Sequence, residues 1–231
     1  MVGRGQAEQL SIQVAGTSVH VSGLLLRPEG ARFLYVLAHG AGAGMQHPFL
    51  ATLSVLLAEE RIATLRYQFP YMEARKRRPD PPRLLEATVR SAVAAGSKTG
   101  LPMVAGGKSM GGRMTSSAAA KRRLPGVNGL AFLGFPLHPP GKPSTDRAQH
   151  LNDVDVPMLF LQGTRDAFAS LELLRPVSER LEARAKLHVV EGGDHSFNVL
   201  KRSGREQSEV MAELVGAISS WAGGLPGLRP E

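Results

Sequence analysis

Apolar positions recur along this chain in two rhythms. Near the start they alternate with polar ones, at Ser11–Val14 and again at Val19–Leu26, with a Gly16-Thr17 turn between, which predicts a pair of strands. From Phe33 onward, short apolar runs alternate with stretches of helical spacing. Phe33–Ala38 (FLYVLA) is apolar throughout, the pattern of a strand covered on both faces. Pro48–Glu60 then places Phe49, Leu53, Leu56 and Leu57 on one side of a helix. The alternation continues with strands at Ile62–Leu65, Pro102–Ala105, Leu130–Leu133, Met158–Leu161 and Lys186–Val190. Helices are predicted at Pro81–Ala95, Met110–Arg122, Leu171–Leu181 and Glu206–Trp221. Prolines open the 81–95 segment, as a first helical turn tolerates, and Leu84, Leu85, Thr88 and Ala92 form its stripe. Strand–helix repetition after an opening hairpin predicts an α/β fold, a mostly parallel central sheet flanked by helices.

Length and composition narrow this picture. The 231 residues, at roughly 150 per domain, fit one domain, with a core over about 10–222 and a Gly- and Pro-rich tail at 223–231 expected to fray. With 42% apolar and 21% charged residues the chain can bury a full core. The absence of cysteine removes disulfides, thiolate metal sites and cysteine nucleophiles together. The longest near-apolar run, Phe49 to Ala58, is far below the ~20 residues a bilayer span needs. MVGRGQAEQL has no secretory core either, so a cytoplasmic protein with no membrane partner is expected. A formal charge of +8 suggests anionic partners. One Trp, three Tyr and eight Phe, with no nucleic-acid motif, argue against base-stacking platforms, and no nucleic-acid partner is expected.

The candidate chemistry lies at the carboxyl ends of the predicted strands. Gly107, Ser109 and Gly111 form G-x-S-x-G between a strand and a small-residue helix. Turning sharply there strains the serine backbone and lifts its hydroxyl above the sheet, which requires nearly bare neighbours on both sides. The helix beginning at Met110 directs its free N–H groups and positive dipole end at that hydroxyl. Taken alone, the pentapeptide is equally well read as an N-cap serine after a glycine turn. Three further strand ends alter the balance. Phe33–Ala38 runs into His39-Gly40-Ala41-Gly42-Ala43-Gly44, whose N–H groups, with that of Met110, suit an oxyanion hole. Met158–Leu161 runs into Gln162-Gly163-Thr164-Arg165-Asp166, and Lys186–Val190 into Glu191-Gly192-Gly193-Asp194-His195. Serine, acid and histidine thus follow one another at 109, 166 and 195, each at a strand end.

Among seven histidines, only His195 combines a glycine turn, a strand end and this order, making it the general base. His39 is read as a loop prop, His20 as a surface or paired side chain, His188 as structural, and His150 as part of no motif. His47 and His138 sit on loops at the active face, as pocket lining or as caps. Asp166 is favoured as the acid. Asp194 adjoins His195 and its side chain diverges, Asp153 and Asp155 precede their strand, and Glu191 is remote. Asp166 would hold the imidazole tautomer and stabilise the imidazolium.

HGAGAGMQHPFL (39–50), RYQFPYMEARKRRPD (66–80), GGKSMGGRM (106–114), FLGFPLHPPGKP (132–143), LQGTRDAF (161–168) and EGGDHSF (191–197) resemble the α/β-hydrolase superfamily. They are similar to its small, lidless, dienelactone-hydrolase-like branch and, within it, to the testis-expressed-protein-30-like hydrolases. That family includes the hydrolase-like domain of a subunit of the nonspecific-lethal histone acetyltransferase complex. The resemblance covers residues 20 to 222. It implies an eight-stranded-type sheet, a Ser109–Asp166–His195 triad, and Ala41 and Met110 as the N–H donors of the oxyanion hole. It names no substrate.

The expected reaction is hydrolysis of a small ester or thioester through an acyl-enzyme, with no cofactor and no metal. The competing expectation is a non-catalytic binding or scaffold protein on the same fold. Only Pro136–Val156 is available for a lid, and it must also hold a short helix around Asp146–Leu151, so the site should be open. Lys108, Arg113, Phe135, His47 and His138 are its candidate substrate-binding residues. Lys108 stands where esterases often carry a neutral or imidazole side chain. With Arg75, Lys76, Arg77 and Arg78 on the 66–80 loop, it either favours an anionic substrate or is simply solvated.

Overall fold

The computed structural model describes residues 7–228. Eight strands form one sheet: β1 (Glu8–Gln13), β2 (His20–Leu26), β3 (Phe33–Ala38), β4 (Ile62–Tyr67), β5 (Met103–Lys108), β6 (Val127–Leu133), β7 (Met158–Gly163) and β8 (Ala185–Val190). Their spatial order is β1-β2-β4-β3-β5-β6-β7-β8. β1 pairs antiparallel with β2, and β2 with β4; the remaining neighbours run parallel. The apolar runs explain the parallel part. Every residue of β3, β4 and β7 is buried, as helices on both faces require.

Those helices divide by face. α1 (Pro48–Glu59) and α6 (Gln207–Gly223) cover one side, where Leu53, Leu57 and Leu214 meet Phe33, Tyr35 and Leu37. α3 (Pro82–Ser97), α4 (Met110–Lys121) and α5 (Leu171–Arg180) cover the other, where Val89, Ala118 and Leu174 share a core with Leu34, Val36 and Phe160. Successive residues of FLYVLA therefore feed opposite cores, the period-two signature of a strand. One short helix, α2 (Pro70–Glu73), has no counterpart in the sequence pattern, because four residues make a single turn without periodicity.

Two expectations need correction. β5 does not stop at Ala105 but continues through Gly106 and Gly107 to Lys108. These glycines have φ of +149° and +146°, and a Cβ would lie 1.9 Å from the Ala131 carbonyl oxygen or 2.2 Å from that of Ala38. The strand passes between β3 and β6 there only because both side chains are missing. The tail also packs as far as Leu228: Leu225 and Leu228 are buried in the α6-side core, and Asn128 Nδ2 donates to the Pro226 carbonyl at 2.9 Å. Residues 229–231 lie outside the described residues. Between β6 and β7 the chain carries a 3-10 helix (Asp146–Asp153) docked on the α4 side through Ala148 and Leu151, and no large lid. No helix among the described residues is long and apolar enough to cross a membrane.

Candidate active site

The end of β5 and the start of α4 create the central feature. Ser109 adopts φ 50°, ψ −117°, a strained conformation for a residue with a Cβ. Its N–H donates to the Leu133 carbonyl at 3.1 Å, and its own carbonyl accepts the Arg113 N–H at 3.1 Å. The glycines that follow permit the turn to close. A Cβ on Gly111 would lie 2.6 Å from the His39 carbonyl oxygen, and one on Gly112 would lie 2.8 Å from that of Gly107.

At the far end of the sheet, the β8 loop brings His195 back over this elbow. Ser109 Oγ and His195 Nε2 are 2.8 Å apart, and His195 Nδ1 is 2.7 Å from Asp166 Oδ2. Because a carboxylate only accepts, Nδ1 carries the proton and Nε2 is free to accept from the serine hydroxyl. The Asp166 carboxylate is fully buried, and the imidazole about one fifth exposed. Two more donors hold that carboxylate: Gln162 Nε2 at 2.6 Å and the Phe168 N–H at 2.8 Å. The Phe168 ring lies against the imidazole, with centroids 4.2 Å apart. Asp194 has a different task. Its Oδ1 accepts the Ser196 and Asn198 N–H groups at 2.8 Å each, folding the loop that carries His195.

The HGAGAG loop lies opposite. His39 is buried, with Nδ1–H donating to the Gly40 carbonyl at 2.7 Å and Nε2 accepting the Phe69 N–H at 3.1 Å. Burial pulls its imidazole down to about 4, with the Gly40 bond acting in the other direction, so it is a neutral prop. Gln68 Oε1 accepts the Met45 N–H, Arg66 donates to the Met45 carbonyl, and the Tyr71 hydroxyl accepts the Gly42 N–H. The loop is therefore fixed, and the N–H groups of Ala41 and Met110 have no hydrogen-bond partner among the described residues. Residues 31–223 match the family model described as an alpha/beta hydrolase domain.

The chain belongs to that family. This α/β-hydrolase superposes on a dienelactone hydrolase from Anabaena variabilis with a TM-score of 0.75 at 21% identity, over 94% of this chain and 97% of that one. It is similar to XC6422 from Xanthomonas campestris, described as an α/β serine hydrolase without a lid (TM-score 0.72, 17% identity, 96% of each chain). It also matches the esterase domain of a Rhodothermus marinus protein (TM-score 0.72, 15% identity, 95% of this chain and 99% of that one). At these identities the likeness speaks for the dienelactone-hydrolase-like fold.

Over Ser109 and His195, the hydrolase has a cleft of about 290 Å³ whose walls include Ala41, His47, Phe49, Leu50, Lys108 and Phe168. His47 lines the cleft, and its Nδ1 caps α1 by accepting the Phe49 N–H at 3.3 Å. Lys108 lines the cleft, and its ammonium donates to the His195 carbonyl at 2.5 Å. Burial pulls this ammonium down to about 8, against the opposing pull of the Asp166 and Asp194 carboxylates.

The other three expected binding residues are placed elsewhere. Phe135 is buried between Phe132 and Phe160, because its aromatic ring completes the core rather than the cleft. His138 is buried, with Nδ1 donating to the Pro139 carbonyl at 2.8 Å. Arg113 is not among the cleft walls, and burial lowers its pKa, with the nearby Arg147 charge acting in the same direction. Arg75, Lys76, Arg77 and Arg78 are all exposed and line no part of the cleft.

Sequence reasoning overlooked Gln162 and Phe168. The available signal for Gln162 was a polar residue closing an otherwise apolar strand, immediately before the turn to the acid. Phe168 carried none, since a single aromatic on a loop is unremarkable. Among the described residues, no three His, Asp or Glu side chains converge as a metal site.

Proposed function

We propose that this chain is a serine hydrolase that cleaves a small ester or thioester through an acyl-enzyme on Ser109. The observation that carries this reading is the unbroken relay from Ser109 Oγ to His195 Nε2 (2.8 Å) and from Nδ1 to Asp166 Oδ2 (2.7 Å), under an open cleft. In the proposed cycle His195 Nε2 takes the hydroxyl proton as Oγ attacks the acyl carbon. Asp166 stays ionised and stabilises the imidazolium. The unpartnered Ala41 and Met110 N–H groups receive the oxyanion, aided by the α4 dipole. The imidazolium then protonates the leaving alkoxide or thiolate. Water, deprotonated by the same nitrogen, releases the acid and restores Ser109.

The cleft supports a small substrate, being near the lower bound of ligand pockets, roughly 300 Å³. Ala41, Phe49, Leu50 and Phe168 give it apolar walls suited to a short acyl group. The same reading takes the chain as a single lidless hydrolase domain. A fluorophosphonate probe tests it. Wild-type protein should be labelled stoichiometrically and Ser109→Ala not at all. A folded wild type that resists labelling overturns the proposal and leaves the non-catalytic alternative.

A further inference from the structure

Lys108 immediately precedes the nucleophile, yet its ammonium ends at the base. The stem passes the HGAGAG loop, with Cγ 3.6 Å from where a Cβ on Gly40 would stand. Nζ then donates to the His195 carbonyl at 2.5 Å and lies 5.7 Å from the centre of the Phe197 ring. Gly134 makes this path possible. A Cβ there would sit 3.2 Å from Lys108 Nζ, 3.3 Å from the His195 carbonyl oxygen and 3.4 Å from Asp166 Oδ2. Ammonium, the carbonyl of the base and the carboxylate thus surround one missing methyl group.

Two further observations set this lysine apart. No other group among the described residues donates to the His195 carbonyl. His195 itself lies on a loop beyond β8, where no sheet ladder holds its backbone. In addition, Lys108 forms no ion pair within 4.0 Å among the described residues, although burial disfavours its charge. A substrate anchor would direct that charge into the cleft. Here it is spent on a backbone carbonyl inside the catalytic apparatus.

Resting on the serine-hydrolase reading, we propose that Lys108 is a positioning residue. Its ammonium ties the backbone of His195 to the elbow, so that Nε2 and Ser109 Oγ keep hydrogen-bonding distance through both halves of the cycle. Since the tie connects residues 108 and 195, it fixes the distance between nucleophile and base without touching the substrate. A misplacement of about 1 Å at such a contact costs up to about 100-fold in rate.

Lys108→Met and Lys108→Arg test this, with a neutral activated acetate ester, a monoanionic ester, fluorophosphonate labelling and the downfield proton resonance of His195 Nδ1–H. For folded Lys108→Met, kcat on both esters and the labelling rate should fall about 10- to 100-fold with KM nearly constant, and the resonance should broaden by exchange. Lys108→Arg, which keeps a donor for the same carbonyl, should restore the resonance and most of the rate. If Lys108→Met is not folded, Lys108→Arg carries the test. A sharp resonance with native kcat supports the proposal; a sharp resonance with a raised KM for the anionic ester alone overturns it and makes Lys108 a substrate anchor. Unchanged kcat and resonance in folded Lys108→Met also overturn it. The resonance is read without turnover. Failure of wild type to label therefore sinks the hydrolase reading separately from the tie.

Discussion

Gln162 Nε2 donates to Asp166 Oδ2 at 2.6 Å, on the same oxygen that receives His195 Nδ1–H. Its Oε1 accepts the Phe135 N–H at 3.0 Å, which fixes the orientation of the amide. The residue therefore links the acid to the buried backbone beyond β6. Gln162→Leu should lower kcat at least about tenfold with KM little changed, since a hydrogen bond to a charged group is worth about 1.5–3 kcal/mol. The orphaned Phe135 N–H should lower stability by about 1–3 kcal/mol. Steady-state kinetics and urea unfolding of one preparation check both. A stability loss with native kcat would make Gln162 purely structural.

The two aspartates near His195 should separate cleanly. Asp166→Asn keeps the shape but offers the imidazole an ambiguous partner, and kcat should fall by about 10⁴. Asp194→Ala removes the Oδ1 that accepts both the Ser196 and Asn198 N–H groups, but leaves the relay intact. It should cost about 1–2 kcal/mol of stability, with kcat falling much less than in Asp166→Asn. Reversed kinetic effects would assign the acid to Asp194.

The sequence was readable where apolar runs and helical spacing alternated. FLYVLA is apolar throughout because its two faces feed two cores, and the helices over it repeat at helical spacing, so the layered sheet was legible in the sequence. Ser109 and His195 stood out because strand ends gather at one edge of a parallel sheet, whereas Asp166 was favoured over other acids rather than fixed. Contacts between loops distant in sequence were not readable. Nothing at Lys108 announces the carbonyl of residue 195, and nothing at Phe135 or Arg113 says which side of the chain faces the cleft. Gly106 and Gly107 misled for a related reason: propensity ends a strand at glycine, whereas close approach to Ala131 and Ala38 demands it.

His39 makes acid sensitivity predictable. Burial pulls its imidazole down to about 4, from the ordinary value of about 6.5 that an unfolded chain would show. Protonating Nε2 would set an N–H against the Phe69 N–H and a charge in a buried site. Between pH 6.5 and 4 the unfolded chain binds more protons, so stability falls as pH falls through this window, by up to about 3 kcal/mol. His39→Gln should start less stable but show a shallower slope. Urea midpoints from pH 7 to pH 4 check it, and equal slopes for the two proteins would remove His39 as the cause.

The basic loop decides what the net charge does. Arg75, Lys76, Arg77 and Arg78 are exposed and absent from the cleft walls, so they can act on a substrate only through their long-range field. Arg75 has φ of 54°, a left-handed conformation that asparagine tolerates, so the neutral variant should combine Arg75→Asn with Lys76→Gln, Arg77→Gln and Arg78→Gln. Its kcat/KM on a neutral ester should stay within about twofold of wild type. On a monoanionic ester it should fall by a few-fold at low salt, a difference that vanishes near 0.15 M, where screening acts over about 8 Å. Stopped assays across a salt series measure both. A large loss that persists at high salt would mean that these side chains touch the substrate, and would require the loop to close over the cleft.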